Sequence, residues 1–358
     1  MNTRRLVLPS LALTLTAGAA SAQSIEANIT PPVVDRWMYP FGSEAGTRAS
    51  VPVFGSQNAC GPDDRFDDRD AEMLVTFSTE SVVPAGWPAG AYRVAAAAIF
   101  IRVSDATSFV YDPTLDAIET YLARGDETVP CSPDAAYTPD LDPGRPLEVF
   151  AVAFRNGFTS ATYTESSPFK PGMAFVPPWI NVRHAYPVGF DSTGQAVDAS
   201  SPIKSRSLLH PLALGTSSTA TPGELVPEGT EFTFDLPVSA PGTREYLQHG
   251  LASGRLALLL TSLAEAQQQV TGSYANIYTR EANPLIFPNA AAPRLVVSLF
   301  LCAADVNGDA DLNPDDLGDY INTYFAVPPG PGADFNRDGA IDPDDLGDYI
   351  NAYFSGCP

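Results

Sequence analysis

Two stretches near the C-terminal end of the chain repeat one arrangement of oxygen-bearing side chains. They are Asp305-Val-Asn-Gly-Asp-Ala-Asp-Leu-Asn-Pro-Asp-Asp316 and, 29 positions further on, Asp334-Phe-Asn-Arg-Asp-Gly-Ala-Ile-Asp-Pro-Asp-Asp345. A twelve-residue calcium loop uses side-chain oxygens at positions 1, 3 and 5, a carbonyl at 7, often a water-bridged group at 9, and a bidentate carboxylate at 12. The repeat therefore predicts two sites for a hard cation. Because it offers neither sulfur nor imidazole, it favours calcium over a transition metal. The alternative interpretation is a pair of acidic surface turns.

The predicted ligands occupy the same six positions in both loops. They are Asp305, Asn307, Asp309, Asp311 (carbonyl), Asn313 and Asp316 in the first loop, and Asp334, Asn336, Asp338, Ala340 (carbonyl), Asp342 and Asp345 in the second. Position 6 needs a sharp turn, which suits Gly339 in the second loop but not Ala310 in the first. A left-handed alanine costs on the order of 1 kcal/mol, so we expect the first site to be weaker.

The charge of the chain is concentrated around these loops. The formal net charge is −22, and the segment from Ala303 to Pro358 carries 12 Asp, no Glu and one basic residue, Arg337, which gives −11. A net charge of this sign argues against nucleic acid and anionic membranes as partners. Carboxylates packed this densely are expected to need cations to become compact.

Each loop leads into a short amphipathic segment. Apolar residues recur at helical spacing after both loops: Leu317, Tyr320, Ile321, Tyr324 and Phe325, then Leu346, Tyr349, Ile350, Tyr353 and Phe354. We expect two helices that pack antiparallel and bury these faces against each other. A unit of this size is too small to rely on its core alone, so calcium and a disulfide are the expected supports.

Two loop–helix units with Asp at position 12, and no helix entering either loop, resemble a dockerin. A cysteine just before the first loop, Cys302, and the pair Gly356-Cys357 after the second helix resemble the GC-type dockerins of planctomycete proteins. The resemblance covers Cys302 to Pro358. It implies a cohesin-like docking receptor, bound through the helix faces and loop positions 10 and 11, which are Pro314, Asp315, Pro343 and Asp344. Cellulosomal dockerins often carry hydroxyl residues there, so we do not expect cellulosomal specificity.

The first 22 residues have the pattern of a secretion signal. Arg4 and Arg5 precede an apolar stretch, Leu6 to Ala17, and Ala20-Ser21-Ala22 fits a cleavage site before Gln23. We therefore expect a secreted or cell-surface protein without membrane insertion; the alternative is a disordered start of a cytosolic protein.

The chain has four cysteines, an even number that favours two disulfides in an exported protein. Three pairings are open from the sequence alone. Cys302 and Cys357 bracket the duplicated segment, which leaves Cys60 with Cys131.

Residues 23–301 are predicted to be mainly β. Pro and Gly are frequent, and apolar runs separated by turn residues predict strands at Met73–Phe77, Val94–Val103, Leu147–Ala153, Glu231–Leu236, Arg255–Ser262 and Arg294–Leu301. Helices are expected after Asp112-Pro113 and over Thr243–Leu251, and a long surface loop over Val197–Pro227. The fold class is thus mainly β, with an N-terminal jelly-roll-like β-sandwich and a small all-α dockerin-like module.

Several segments of this region resemble a DNRLRE-type β-sandwich, which is similar to carbohydrate-binding modules. They are Ala49-Ser-Val-Pro-Val-Phe54, Asp67-Asp-Arg-Asp-Ala-Glu-Met-Leu-Val-Thr-Phe77, Ala95–Val103, Leu256–Leu260, Tyr278-Thr-Arg-Glu281 and Pro293-Arg-Leu-Val-Val297. The resemblance spans most of residues 35 to 300 and implies a polysaccharide ligand.

No motif in this region predicts catalysis. The three histidines, His184, His210 and His249, have no metal-binding spacing, and no nucleophile elbow or phosphate-binding glycine loop occurs. A glycosidase needs two facing carboxylates. Glu165, Asp191, Glu245 and Glu281 are available, but nothing in the sequence pairs them.

Aromatic side chains are the usual platform for sugar rings. The candidates are Trp37, Tyr39, Phe41, Trp87, Tyr163, Phe169, Phe175, Trp179 and Tyr186, each with core packing as the alternative. The sequence thus favours a secreted, non-catalytic β-sandwich protein tethered by a calcium-dependent module. A dockerin-borne polysaccharide hydrolase or lyase, and a structural cell-surface protein, are the competing interpretations.

Overall fold

The computed structural model describes residues 23–39, 42, 45–56, 69–106, 108–122, 135–171, 183–266, 273–309, 311–330 and 332–357. The chain divides into two compact units. One, here the β unit, is Ser24–Leu301; the other contains Cys302–Pro358 and is here the C-terminal unit. The predicted signal segment, residues 1–22, and the predicted pair Cys60 and Cys131 lie outside the described residues.

The β unit is built mainly from strands, which confirms the mainly β prediction. In chain order the strands are β1 (Gln23–Ile29), β2 (Val34–Met38), β3 (Ser50–Ser56), β4 (Arg69–Ser78), β5 (Tyr92–Arg102), β6 (Glu148–Phe154), β7 (Ala185–Phe190), β8 (Ala196–Asp198), β9 (Ala213–Leu214), β10 (Glu231–Asp235), β11 (Arg255–Thr261), β12 (Glu265–Ala266), β13 (Ala275–Tyr278) and β14 (Arg294–Leu301). The helices are α1 (Pro202–Ser205) and α2 (Thr243–Ala252), with 3-10 turns at Ala89–Ala91 and Ile118–Tyr121.

The strands form two sheets. The smaller has the order β1-β14-β5-β10, and the larger runs β12-β3-β4-β11-β6-β7-β8, with β13 beside β3, β2 beside β4 and β9 beside β6. The pairings of β11 with β4 and with β6 are antiparallel. Each of the six predicted strands overlaps an observed one.

The main core contains side chains from both sheets. Ile99 and Val297 of the smaller sheet belong to the same buried cluster as Val75 and Leu258 of the larger one. Strand β14 buries every second residue, as expected for a strand with one covered face.

Strand β11 is apolar on both faces because both are covered. Leu258 lies in the main core, whereas its neighbour Leu259 packs in a second cluster with Leu74 and Tyr163. A continuous apolar run, rather than alternation, is the pattern that such a strand requires.

Two local predictions need correction. The segment after Asp112 forms only the 3-10 turn Ile118–Tyr121, because Asp112 accepts hydrogen bonds from the backbone and hydroxyl of Thr114 in a tight local turn instead of starting an α-helix. The expected loop over Val197–Pro227 contains α1 and β9. The predicted helix at Thr243 is confirmed as α2.

The C-terminal unit contains two helices, α3 (Pro314–Tyr324) and α4 (Pro343–Ser355). Each begins at loop position 10 with proline, which fits the first turn because its missing N–H would have no helical partner there. Within the described part of the chain, every helix is too short or too polar to span a bilayer.

Candidate functional site

The residue at loop position 12 connects both ends of each loop. In the first loop, Asp316 Oδ1 accepts hydrogen bonds from the backbone N–H of Val306 (2.9 Å) and Asn307 (3.3 Å), and Oδ2 accepts one from Asn313 (3.0 Å). In the second, Asp345 accepts from Asn336 (3.1 Å) and Asp342 (2.9 Å). These carboxylates therefore hold the start of the loop against the start of the helix.

The same carboxylates complete capping boxes on the helices. Asn313 accepts a hydrogen bond from Asp315 N–H, and Asp342 accepts one from Asp344 N–H, at 2.8 and 2.9 Å. Asp316 and Asp345 in turn accept hydrogen bonds from the backbone N–H of those N-cap residues. Capping alone accounts for one oxygen of each position-12 carboxylate, and the contacts to the loop start involve the other.

Side chains at positions 1, 3 and 5 accept hydrogen bonds from backbone N–H groups slightly further along each loop. In the first loop, Asp305 accepts from Gly308 N–H at 2.8 Å and Asn307 from Asp309 N–H at 2.9 Å. In the second loop, Asp334 accepts from both Asp338 and Gly339, at 3.1 and 3.0 Å. These short side chains therefore curve both loops by local turns.

Position 4 is left-handed in both loops, a feature that the sequence argument missed. Its φ is 73° at Gly308 and 60° at Arg337, while Gly339 at position 6 has a φ of 90°. Ala310 lies outside the described residues. Each loop thus has a glycine at one of these two positions. In the first loop it is Gly308 at position 4, and in the second it is Gly339 at position 6. Arg337 therefore places a strained left-handed residue in the second loop, whose position 6 is the glycine that the sequence predicts to turn freely.

Three loop carboxylates are fully buried: Asp305, Asp316 and Asp345. Burial of a charged group is costly unless hydrogen bonds or a counter-charge compensate for it. Among the described residues, however, the triplets of acidic side chains with ligand oxygens within 4.8 Å of one another lie in the β unit and not in these loops. The predicted donor set, oxygens without sulfur or imidazole, is of the kind that calcium prefers.

A disulfide and an aromatic cluster support the two loops. Cys302 and Cys357 are bonded, with their Cα atoms 5.5 Å apart. The rings of Tyr320 and Tyr349 stack with centroids 3.9 Å apart, and Phe335 packs edge-on against both. Burial, together with nearby carboxylates, raises the pKa of both tyrosines, so their hydroxyls remain donors.

The packing of the two helical faces differs from the sequence expectation. Tyr320 and Tyr349 are buried, but Ile321 and Phe325 are 38% and 66% exposed, and Ile350 and Phe354 are 37% and 78% exposed. The apolar stripes therefore do not bury each other completely, because the stacked tyrosines and Phe335 occupy the space between the helices. Both repeats leave the same two apolar positions open to solvent.

The residues predicted to bind the partner are also on the surface. Pro314, Asp315, Pro343 and Asp344 are all exposed at the beginning of the helices. They lie on the same two helices as Ile321, Ile350 and Phe354, and Phe325 directly follows the first of these helices.

The histidines of the β unit show no sign of a shared site. His184 is buried and its Nδ1 lies 3.0 Å from Asn156 Nδ2, whereas His210 and His249 are exposed. Burial lowers the pKa of His184. In the described residues, neither acidic triplet includes a histidine.

Two of the four candidate carboxylates meet in the structure. Glu165 and Glu281 both bind Arg280, by contacts of 2.9 and 2.8 Å, and Asp35, which the sequence argument did not consider, joins them. Desolvation, followed by the neighbouring Glu281 and Glu165 charges, raises the pKa of Asp35 to about 8. Asp191 instead closes an exposed turn with Thr193, and Glu245 binds the backbone N–H of Gly242 at the start of α2.

The aromatic candidates that the structure describes are packed rather than displayed. Trp37 and Tyr163 are buried, and Trp37 stacks on Tyr39 with centroids 4.7 Å apart. Trp87, Phe169 and Tyr186 are half-buried, whereas Phe41, Phe175 and Trp179 lie outside the described residues. The large apolar side chains of the β unit that are most exposed, Leu141 and Leu285, were not candidates.

No protein-family model matches the chain, and no curated protein matches it.

Proposed function

We propose that this is a secreted, non-catalytic protein whose C-terminal unit attaches it, in a calcium-dependent way, to a cohesin-like receptor. The observation that carries the proposal is the repeated surface of the C-terminal unit. Both repeats combine a buried position-12 carboxylate with exposed apolar residues on the following helix or directly after it: Ile321 and Phe325 in one, Ile350 and Phe354 in the other. Apolar side chains exposed at equivalent places in two repeats favour a docking surface over chance.

The calcium part of the proposal is supported by charge and by ligand chemistry. Asp305, Asp316 and Asp345 are buried in a segment of net charge −11 that has Arg337 as its one basic residue. The predicted ligands at positions 1, 3, 5, 7, 9 and 12 would hold one ion in each loop. Each ion would offset the repulsion among the carboxylates, which we propose is what keeps the loops closed.

Hydrogen exchange on the full chain tests the calcium dependence. Addition of a chelator is expected to abolish protection of the amides in Pro314–Tyr324 and Pro343–Ser355, while strands β4, β11 and β6 keep theirs. Equal protection of the two helices with and without calcium would refute a calcium-supported fold.

Capture of the receptor tests the docking function. Immobilised full-length protein, incubated with extracellular and envelope fractions of its source organism, should retain a protein with a cohesin-like domain in calcium and release it with chelator. Retention that is indifferent to chelator, or to loss of the exposed phenylalanines, would exclude the proposed surface.

For the β unit we propose a jelly-roll-like sandwich that binds polysaccharide without cleaving it. The support is its mainly β architecture, together with a core shared by both sheets. Pull-down with insoluble polysaccharides, combined with an assay for released reducing sugar, separates the alternatives. Binding without release supports the proposal, release favours a hydrolase or lyase, and neither favours a structural surface protein.

A further inference from the structure

The triplet Asp35, Glu165 and Glu281 joins parts of the β unit that are distant in sequence. Asp35 is on β2, Glu165 lies in the segment after β6, and Glu281 lies in the turn after β13. One ligand oxygen from each residue lies within 4.8 Å of one from each of the others. Three carboxylates in so small a space repel one another strongly unless positive charge is present.

Arg280 supplies part of that positive charge. Its Nη2 donates to Glu165 Oε1 at 2.9 Å and its Nε to Glu281 Oε1 at 2.8 Å, while Asp35 Oδ1 lies 3.4 Å from Nε. The backbone N–H of Arg280 donates to Asp35 Oδ2 at 2.5 Å. Full ionisation of the three carboxylates beside one guanidinium would leave two negative charges, a state that the raised pKa of Asp35 marks as unfavourable unless further positive charge is present.

Each of the three residues also has one buried oxygen that accepts no hydrogen bond, which indicates a further ligand. Asp35 is 1% exposed, and its Oδ1 is buried without a hydrogen-bond partner. Oε2 of Glu165 and Oε2 of Glu281 are likewise buried and accept no hydrogen bond. Buried carboxylate oxygens in native proteins are normally hydrogen-bonded or bound to a cation, so one such oxygen on each member of a triplet is unusual.

We propose that Asp35, Glu165 and Glu281 bind one divalent cation, calcium, in the β unit. A divalent ion would balance the two excess charges and give the unpartnered oxygens a ligand. Calcium fits better than magnesium because it accepts several carboxylates in irregular geometry, whereas magnesium retains most of its water and usually takes one or two carboxylates.

This site is separate from the two C-terminal loops and has a structural role. The ion adds a link between β2 and two segments that Arg280 also contacts, next to the hydrogen bonds from Asp35 N–H to Glu165 Oε1 and from Arg36 to the Thr164 and Ser167 carbonyls. It lies in a different unit from the docking surface, and the docking proposal can fail without affecting it.

The test uses the full chain in a background that removes the position-12 carboxylate of each loop, Asp316→Asn with Asp345→Asn, to abolish binding by the loops. After removal of bound metal, calorimetric titration with calcium should show one remaining equivalent. Adding Glu281→Gln should weaken that site at least tenfold, whereas Asp191→Asn, in the exposed turn, should leave it unchanged. Failure of the background protein to bind calcium, or equal binding after Glu281→Gln, would overturn the proposal and leave the triplet as a binding site for Arg280 alone.

A second measurement covers the case in which the background variant misfolds. In the chain without loop substitutions, equilibrium dialysis should find one calcium fewer in Glu281→Gln than in the unmodified protein. A protein that binds a single calcium, lost in Glu281→Gln, would support this site while refuting the loops. A protein that binds two calcium ions and retains both in Glu281→Gln would support the loop sites and refute this site.

Discussion

Tyr320 and Tyr349 stack on each other, and each hydroxyl donates to the carbonyl that precedes the other residue's loop. Tyr320, on the helix after the first loop, donates to Ala333 at 3.0 Å, directly before Asp334. Tyr349, on the helix after the second, donates to Ala304 at 3.4 Å, directly before Asp305. Each loop therefore begins at a point held by the helix that follows the other loop.

These reciprocal hydrogen bonds predict that substitution of each tyrosine affects the loop that precedes the other tyrosine's helix. Tyr349→Phe leaves the Ala304 carbonyl without its partner and should speed hydrogen exchange at Gly308 in the first loop; Tyr320→Phe should do so at Gly339 in the second. Loss of one partner of a buried hydrogen bond costs about 1–3 kcal/mol. Residue-resolved hydrogen exchange by NMR measures the rates at Gly308 and Gly339. An effect confined to the loop that directly precedes the substituted helix would contradict the reciprocal hydrogen bonding.

Position 4 provides a second prediction. Arg337→Gly should stabilise the C-terminal unit by roughly 1 kcal/mol because glycine adopts a positive φ freely. Arg337→Ala serves as the control, since it removes the same charge but keeps the unfavourable backbone geometry. Thermal unfolding of both variants should show the glycine variant as the more stable; equal midpoints would mean that position 4 carries no strain.

The two loops can be compared through their glycines. Gly308→Ala should weaken calcium binding at the proposed first site by about fivefold, the equivalent of roughly 1 kcal/mol. Gly339→Ala should weaken the second by a similar factor. Ala310→Gly should tighten the first site if Ala310 is left-handed, as position 6 of the sequence pattern predicts. Calorimetric titration of the three variants separates the contributions of positions 4 and 6.

The exposed phenylalanines should matter for docking and not for folding. Phe325→Ser with Phe354→Ser is expected to reduce receptor binding at least tenfold, because exposed aromatic anchors carry much of the energy of such interfaces. The unfolding midpoint should change little, since both side chains are mostly in solvent. Leu285→Ser, at an exposed residue of the β unit, is the matched control and should bind normally.

His184 predicts a pH dependence of the β unit. Burial lowers its pKa, so the folded protein binds fewer protons at this residue than the unfolded chain. The stability that follows is present above the ordinary histidine pKa of about 6.5 and is lost as pH falls through the lowered value. Denaturant unfolding from about pH 7 to about pH 5 should show a smaller loss of stability in His184→Gln than in the unmodified chain.

The sequence was most informative where local patterns decide structure. The apolar run of β11 and the amphipathic spacing of α3 and α4 are readable because strands and helices of this kind depend on neighbouring residues. The Asp35–Glu165 contact is not, because it joins residues 130 positions apart through folding of the whole unit. The left-handed Arg337 has no signal in residue type, and helical spacing cannot tell that stacked tyrosines leave Ile321 uncovered.

The bond between Cys302 and Cys357 has a mechanical consequence. It closes a ring around the C-terminal unit, so tension arriving along the chain at Leu301 divides between the first loop and the end of α4. Without the bond, a pull on the β unit would peel the first loop away before the second. With it, the ring limits how far the chain can extend, and a load applied through the proposed receptor would act on both repeats together.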